Sequence, residues 1–257
     1  MSDLHRYSPQ PLSIFGFFLC LISTLWLPSA IAEEKLEIGL FSSAEPEGSF
    51  PQGWEPLTFE KIPQHTAYEL VKDGGTVVVK ATSKQSSSGL TRKMKIDPKQ
   101  FPIVQWRWKI ENIIQGSDVT KKEGDDYPAR IYITFEYDSS KVGFFEKAKF
   151  ELIRLAYGQY PPTGAINYIW ESKAPIGAVV PNPYTDYVQM IVTQSGSQRV
   201  GEWVMEEHNV YEDYKKAFGE EPTHISGVAI MTDTDNTKES AIAYFGDILF
   251  KQSATSE

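Results

Sequence analysis

The residues best suited to bind a polar ligand lie in one short segment, residues 124–137, which reads GDDYPARIYITFEY. Two adjacent acids, Asp125 and Asp126, precede a stretch in which apolar residues alternate with Arg130 and Tyr132. Because side chains alternate between the two faces of a β-strand, this pattern predicts a strand with one apolar and one polar face. The polar face is either a binding surface for a polar ligand or an ordinary solvated sheet face.

A second group of oxygen donors occupies residues 231–237, MTDTDNT, and includes Asp233, Asp235 and Asn236. Calcium binds six to eight oxygen atoms from carboxylates, amides and main-chain carbonyls, so these residue types suit it. The segment lacks the glycine and glutamate spacing of an EF-hand. Two interpretations remain: a structural calcium site, or an Asx-turn loop that only reverses the chain.

Asp247 is a fourth candidate metal ligand. It lies in an apolar segment, residues 241–250, that predicts a strand near the end of the chain. There it shares a strand face with Phe245 and Leu249, and a carboxylate among apolar side chains is costly unless it is paired or bound to a metal.

Trp170 is the candidate platform on which a sugar ring would stack. It lies in a predicted strand, residues 165–171, that we expect to neighbour the strand of Arg130. A flat aromatic ring offers its face to the CH groups of a sugar. The alternative is that the ring is buried in the protein core.

The sequence contains none of the common catalytic motifs: no GxSxG, Walker, dinucleotide-binding glycine or HExxH pattern is present. No catalytic residue is assigned. Two enzymatic options stay open, because the chain is rich in acids and because Tyr132 shares a strand face with Arg130. They are a glycosidase with paired carboxylates and a polysaccharide lyase with a tyrosine base.

The charge and cysteine content exclude several functions. The chain carries 25 basic and 34 acidic residues, a net charge of −9, which makes nucleic acid and anionic lipid poor candidates for partners. The single cysteine, Cys20, lies in the N-terminal segment. The rest of the chain therefore has no disulfide and no thiolate metal site.

Residues 1–32 have the features of a secretory signal peptide. A basic start at Arg6 is followed by an apolar stretch, residues 14–27, and by the small-residue motif Ala30-Ile31-Ala32. The apolar stretch is shorter than the roughly 20 residues of a membrane span. We expect cleavage after Ala32, no membrane span afterwards, and a periplasmic or secreted protein of a Gram-negative bacterium with a single domain at residues 33–257.

Many short alternating segments separated by turn residues predict a mainly β fold. Asp73-Gly74-Gly75 predicts a hairpin, and Trp106 and Trp108 share one face of a strand at residues 103–110, where core burial is favoured. Helices are predicted at residues 144–156 and 210–218. The pattern favours an antiparallel β-sandwich of the jelly-roll type with two short helical insertions, because a parallel α/β fold needs a helix after most strands.

Two resemblances follow from these segments. The order of the Gly53-Trp54 turn, the VVVKA and WRWK strands and the acid at Asp247 resembles galactose-binding-like carbohydrate modules, which implies a jelly roll with a structural calcium ion. More of the chain resembles the family called domain of unknown function 3047, which implies an exported bacterial protein of unassigned activity. The segments similar to that family are GWEPLTFEKI (53–62), GDDYPARIYITFE (124–136), NYIW (167–170), NPYTD (182–186), EDYKKAFG (212–219) and MTDTDNT (231–237).

The sequence therefore predicts an exported, non-catalytic protein that binds a polysaccharide or an envelope glycan. The expected ligand-binding residues are Asp125, Asp126, Arg130, Tyr132 and Trp170. The expected calcium ligands are Asp233, Asp235, Asn236 and Asp247. The alternatives are a carbohydrate-active enzyme, either a lyase or a hydrolase, and a structural component of an envelope complex whose protein partner the sequence does not identify.

Overall fold

The computed structural model of the protein describes residues 34–141, 143 and 164–253. The expected signal peptide, residues 1–32, and the first expected helix, residues 144–156, lie outside these ranges. Within them, no helix combines the length and the apolar character needed to cross a bilayer.

The described residues form two β-sheets that pack face to face, as predicted for a β-sandwich. The strands are β1 (Lys35–Gly39), β2 (Trp54–Leu57), β3 (Ala67–Asp73), β4 (Thr76–Lys84), β5 (Ser87–Ile96), β6 (Ile103–Ile110), β7 (Arg130–Phe135), β8 (Gly164–Glu171), β9 (Val179–Asn182), β10 (Thr185–Ser195), β11 (Val204–Asn209), β12 (Ile225–Asp233) and β13 (Ser240–Lys251).

One sheet has six strands in the order β11-β6-β13-β4-β3, with β1 also paired to β13, and the other has seven in the order β2-β5-β12-β7-β8-β10-β9. Neighbouring strands are antiparallel except for β8 and β10, which run parallel. The parallel pair arises because β9 returns the chain before β10, so that β10 lies between β8 and β9. The predicted mainly β sandwich is confirmed.

The core lies between the sheets and is rich in tryptophan. Trp106 and Trp108 project inward from β6, 1% and 0% exposed, with their rings 5.4 Å apart and nearly perpendicular. Trp108 contacts Trp170 of the opposite sheet at 6.1 Å between ring centroids. Burial of large aromatic rings stabilises sheet packing, so the prediction that these two tryptophans fill the core is confirmed.

The predicted hairpin joins β3 to β4. Gly74 and Gly75 have φ angles of +58° and +87°, a conformation that side chains with a Cβ disfavour, and Asp73 pairs with Thr76 across the turn. Positive φ at both central residues is the type I′ geometry, whose twist matches that of the strands.

Helix α1 (Val210–Phe218) follows β11 directly, as predicted. The side chain of Asn209 accepts a hydrogen bond from the Glu212 amide at 3.0 Å, which caps the first turn, and Gly219 ends the helix at a φ of +73°. Tyr214 is buried, with its ring 4.4 Å from that of Phe135, so the helix closes one end of the core.

The side chains of strand β7 alternate between the core and the outer face of the sheet, as predicted. Ile131, Ile133 and Phe135 are fully buried in the core, so Arg130 and Tyr132 lie on the outer face of the seven-stranded sheet. On one side β7 pairs with β12, and on the other it pairs with β8, where Asn167 lies opposite Tyr132. The outer face is not solvated at Arg130, however, because loops cover this residue to 2% exposure.

Candidate functional site

A cavity of about 370 Å³ opens above the outer face of β7 and β12. Its apolar walls include Phe59, Ile62, Tyr132 and Tyr184, and its polar groups come from Asp125, Arg130, Asp233, Asp235 and Asn236. Cavities that bind small ligands usually measure roughly 300–1,000 Å³ and combine apolar walls with a few polar groups. The cavity therefore has the size and composition of a site for a small polar ligand.

Arg130 lies at the base of this cavity with all five of its N–H donors engaged. Nε donates to Oδ1 of Asp233 at 2.8 Å, and Nη2 contacts the other oxygen of the same carboxylate. Nη2 also donates to the main-chain oxygen of Asp125 at 2.9 Å. Nη1 donates to the Tyr132 hydroxyl at 3.1 Å and lies 3.4 Å from Oδ1 of Asp125. Since a guanidinium has five donors, Arg130 has none left for a ligand.

Arg130 is thus a positioning residue for the cavity. Its charge is buried, and a buried charge is stable only when it is paired and hydrogen-bonded. The same bonds fix Asp125, Asp233 and Tyr132 relative to one another. The expectation that Arg130 itself orients a ligand is corrected to this indirect role.

Asp125 connects Arg130 to the turn between β9 and β10. Its Oδ2 accepts a hydrogen bond from Nδ2 of Asn182 at 3.0 Å, while Oδ1 of Asn182 accepts one from the main-chain amide of Tyr184 at 3.0 Å. The buried arginine therefore sets the position of an exposed tyrosine through two intermediate side chains.

Tyr184 is the aromatic residue that the sequence analysis missed. It is 55% exposed, yet its hydroxyl donates to the main-chain oxygen of Lys122 at 3.1 Å and accepts a hydrogen bond from Asn236 at 2.8 Å. An exposed ring held in one orientation suits stacking against a sugar. One feature of the sequence could have identified Tyr184: it directly follows Asn182-Pro183. These residues predict a turn, and an aromatic residue in a turn is expected to be exposed.

Trp170, the expected stacking platform, does not line the cavity. It is 1% exposed and points into the core, where its ring contacts Trp108 and its Nε1 donates to the main-chain oxygen of Gly196 at 3.1 Å. Ring burial was the alternative interpretation, and it is the one that the structure supports.

Three carboxylates meet beside the cavity. Oxygen atoms of Asp126, Asp233 and Asp235 lie within 4.8 Å of one another. Asp126 is fully buried, and its oxygens accept hydrogen bonds from the main-chain amides of Asn236 and Thr237 at 3.3 and 2.6 Å. Asp126 therefore holds the acidic loop in place and does not face a ligand.

Asp235 is the most accessible of the three carboxylates. Burial raises the pKa of Asp235, and the negative charge of Asp126 raises it further. The cavity thus contains more acidic groups than the one paired guanidinium neutralises.

The calcium ligands expected from the sequence are only partly brought together. Asp233, Asp235 and Asn236 lie at the cavity, whereas Asp247 lies on β13 of the other sheet. There its two carboxylate oxygens accept hydrogen bonds from the amide and hydroxyl of Ser42 at 2.8 and 2.5 Å. Assigning Asp247 to the same site was wrong, because the register of β13 places it elsewhere.

The remaining donor set fits a calcium ion in part. Asp235 and Asn236 offer the hard oxygen ligands that calcium prefers. Asp233 is less suitable, because the guanidinium of Arg130 contacts both of its carboxylate oxygens and brings a positive charge close to any cation. Calcium binding at this loop remains a prediction.

Tyr132 keeps its proton at neutral pH. Burial raises its pKa, and the opposing effect of Arg130 does not reverse the direction. The Tyr132 oxygen accepts a hydrogen bond from Arg130, and its own O–H group has no acceptor in the part of the chain that the structure describes. Tyr132 is therefore suited to donate a hydrogen bond to a ligand and unsuited to act as a base.

Comparison with known protein families gives one match. The model of a family described as protein of unknown function (DUF3047) matches residues 52–249. No curated protein matches the chain.

Several solved structures are similar to the chain at low sequence identity. A family 29 carbohydrate-binding module from Piromyces equi is 8% identical with a TM-score of 0.39, over 88% of this chain and 95% of that one. The carbohydrate recognition domain of Emp47p is 11% identical with a TM-score of 0.41, over 86% and 95%. An arabinose-bound α-L-arabinofuranosidase is 10% identical with a TM-score of 0.41, over 86% of this chain and 27% of that one. At these TM-scores the similarities carry no argument about function.

Proposed function

The chain belongs to DUF3047, a family of proteins of unknown function, and from its cavity we propose that it is a non-catalytic glycan-binding protein. The observation that carries this proposal is that one small cavity combines an anchored, exposed aromatic ring with hydrogen-bonding groups that have capacity left for a ligand in the part of the chain that the structure describes. The ring is that of Tyr184, 55% exposed. Sugars require this combination, since they present apolar CH faces together with hydroxyl groups.

Each group in the cavity has a distinct part in binding. The ring of Tyr184 stacks against the CH face of a sugar, and the Tyr132 hydroxyl donates to a sugar oxygen. Asp235 accepts hydrogen bonds from sugar hydroxyls. Asn236 accepts them through Oδ1, because its Nδ2 already donates to Lys122 and Tyr184. A volume of about 370 Å³ suits one or two sugar rings.

The charge of the cavity selects among glycans. Asp125, Asp233 and Asp235 line it together with one cation, Arg130, whose donors are all engaged. This excess negative charge repels carboxylate-bearing sugars and tolerates neutral or cationic ones. We propose a neutral polysaccharide or envelope glycan as the ligand.

The N-terminal segment supports a second part of the proposal, which concerns where the protein is located. We propose that residues 1–32 direct export and are removed, so that the protein meets its glycan in the periplasm or outside the cell. The mass of the protein purified from a Gram-negative host tests this. A mature chain that begins at Glu33 agrees with export, and an intact N-terminus recovered from the cytoplasm contradicts it.

A glycosidase is the second candidate function, because the three carboxylates lie within 4.8 Å of one another. Retaining glycosidases separate their two carboxyl groups by about 5 Å. Binding is favoured over hydrolysis because Asp126 is fully buried and Asp233 is paired with Arg130, which leaves Asp235 as the one carboxyl group of the three that a substrate can reach. Release of reducing ends from neutral polysaccharides, abolished in Asp235→Asn, would favour hydrolysis.

A glycan array tests the binding proposal directly. We expect the wild type to bind one or more neutral glycans and Tyr184→Ala to lose about tenfold or more in affinity. Ile176→Ala is the matched control, because Ile176 is 63% exposed and does not line the cavity. Absence of binding by the wild type, or equal binding by Tyr184→Ala, would contradict the proposal.

A further inference from the structure

A second cluster of aromatic and basic side chains lies on the outer face of the six-stranded sheet. Arg107 and Lys109 alternate along β6 with the buried tryptophans and therefore point away from the core. Trp203, which precedes β11, and Tyr244 on β13 flank them, with their rings 6.4 Å apart. This cluster is on the opposite sheet from the cavity and none of its residues takes part in the proposed function.

Gly246 allows Arg107 to lie flat across the neighbouring strand. A Cβ atom at residue 246 would come within 2.5 Å of both Cγ and Nε of Arg107, a distance that real Cβ contacts do not show. The register between β6 and β13 is irregular at this point, between Phe245 and Ile248. A β-bulge of this kind commonly redirects a side chain, and here the side chain of Arg107 packs against the main chain of Gly246.

The guanidinium of Arg107 then stacks on Trp203, with Cζ 4.6 Å from the ring centroid. The indole is itself fixed, because its Nε1 donates to Oδ2 of Asp73 at 2.6 Å. Lys109 donates to the same oxygen at 2.7 Å, and its Nζ lies 4.3 Å from the ring centroid of Tyr244. The result is a preorganised platform on which Arg107 has a defined position.

The N–H donors of Arg107 are unengaged within the part of the chain that the structure describes. In the described ranges Arg107 makes no hydrogen bond or ion pair, whereas Arg130 uses all its donors and Arg199 donates to Glu202 at 3.2 Å. Stacking uses the face of a guanidinium and leaves the in-plane N–H groups free at its edge. The carboxylate of Asp73 already accepts hydrogen bonds from Lys109 and Trp203.

We propose that Arg107 is a second binding site, which takes the carboxylate of an acidic sugar. A fork of N–H groups held in a plane matches a planar carboxylate in a bidentate manner. The adjacent ring of Tyr244 offers an apolar surface for the CH face of the same sugar. The complementary charge therefore selects a uronate-type glycan, the class that the acidic cavity on the other sheet repels.

Calorimetric titration of the full-length mature protein with trigalacturonate, and with neutral galactotriose as the comparator, tests the proposal. We expect trigalacturonate to bind more weakly as salt rises. Arg107→Gln should reduce the affinity about tenfold or more. Gly246→Ala should reduce it comparably, because it displaces the guanidinium without removing its charge. Arg199→Gln, at an exposed arginine that is already paired, should bind as the wild type does.

Three results would overturn the proposal: no binding of trigalacturonate by the wild type, unchanged affinity in Arg107→Gln, or equally tight binding of inorganic phosphate, which would show a general oxyanion site. Should Gly246→Ala fail to fold, Arg107→Gln still decides the outcome. Because Tyr184 is remote from this surface, Tyr184→Ala should leave trigalacturonate binding unchanged whether or not the cavity binds a neutral glycan.

Discussion

Arg130 and Asp233 form a buried ion pair between β7 and β12, with Nε donating to Oδ1 at 2.8 Å across 103 residues of sequence. Both side chains are almost inaccessible, 2% and 3% exposed. The two strands are hydrogen-bonded neighbours, so the pair joins the polar strand face to the acidic loop. Through this pair two distant segments of sequence become one cavity wall.

Removing the cation of this pair should destabilise the fold. Arg130→Met leaves the buried carboxylate of Asp233 without its cation and, among the described residues, with only the main-chain amide of Tyr127 as a donor, and the loss of one member of a buried pair costs about 3–5 kcal/mol. Urea unfolding followed by tryptophan fluorescence measures the change. Arg199→Met removes an exposed pair with Glu202 and should change the free energy of unfolding by less than about 1 kcal/mol. Equal stability of the two variants would contradict this role for Arg130.

Asp235→Asn should stabilise the protein at neutral pH in buffer that contains a chelator. The folded state raises the pKa of Asp235, so its ionised form opposes folding above that pKa, and the effect vanishes below the pKa of an unfolded aspartate, about 3.9. We expect the melting temperature to rise by about 2 °C at pH 7 and the difference to shrink as the pH falls towards 4. A variant that is less stable at pH 7, or a difference independent of pH, would contradict the direction of the pKa change.

The predicted calcium site has its own test. If Asp233, Asp235 and Asn236 bind calcium, saturating calcium at 100 times its Kd should stabilise the fold by about 2.7 kcal/mol, and a chelator should reverse this. Asp235→Ala should abolish the difference between the two conditions. Superimposable melting curves of the wild type with calcium and with chelator would contradict calcium binding at this loop.

The substitution Asn167→Leu should stabilise the protein. Asn167 is fully buried opposite Tyr132, and among the described residues neither its amide nitrogen nor its amide oxygen has a hydrogen-bond partner. Because an unpaired buried polar group costs about 1–3 kcal/mol, Asn167→Leu should raise the free energy of unfolding by about 1 kcal/mol. Asn182→Leu is the matched control and should lower it, since that amide donates to Asp125. A similar loss in both variants would mean that Asn167 has a partner.

The sequence predicts the sandwich because the period-two pattern is local. Residues within one strand determine which of them share a face, and the alternation of β6 and β7 needs no knowledge of the partner strands. The sequence analysis also singled out Asp125, Tyr132, Asp235 and Asn236 by residue type, but their meeting at one cavity depends on the pairing of β7 with β12.

The sequence predictions fail for residues whose positions depend on contacts between segments that are distant in sequence. Both faces of β8 are buried, so its alternation does not tell which face carries Trp170 into the core. Asp247 was assigned to the acidic loop, but β13 pairs with β4 and β6 in the other sheet. The role of Tyr184 depends on its bonds to Lys122 and Asn236, which lie 62 and 52 residues away in sequence.

Chemical-shift mapping tests the central claim most directly, that this cavity is where a glycan binds. Nitrogen–proton spectra of the mature protein would be recorded during titration with the neutral trisaccharides galactotriose and cellotriose and with any neutral glycan selected on the array. We expect the perturbed amides to cluster around Tyr132, Tyr184, Asp235 and Asn236, with Tyr184→Ala removing the perturbations. Perturbations that map to any other surface, or that persist in Tyr184→Ala, would contradict the account.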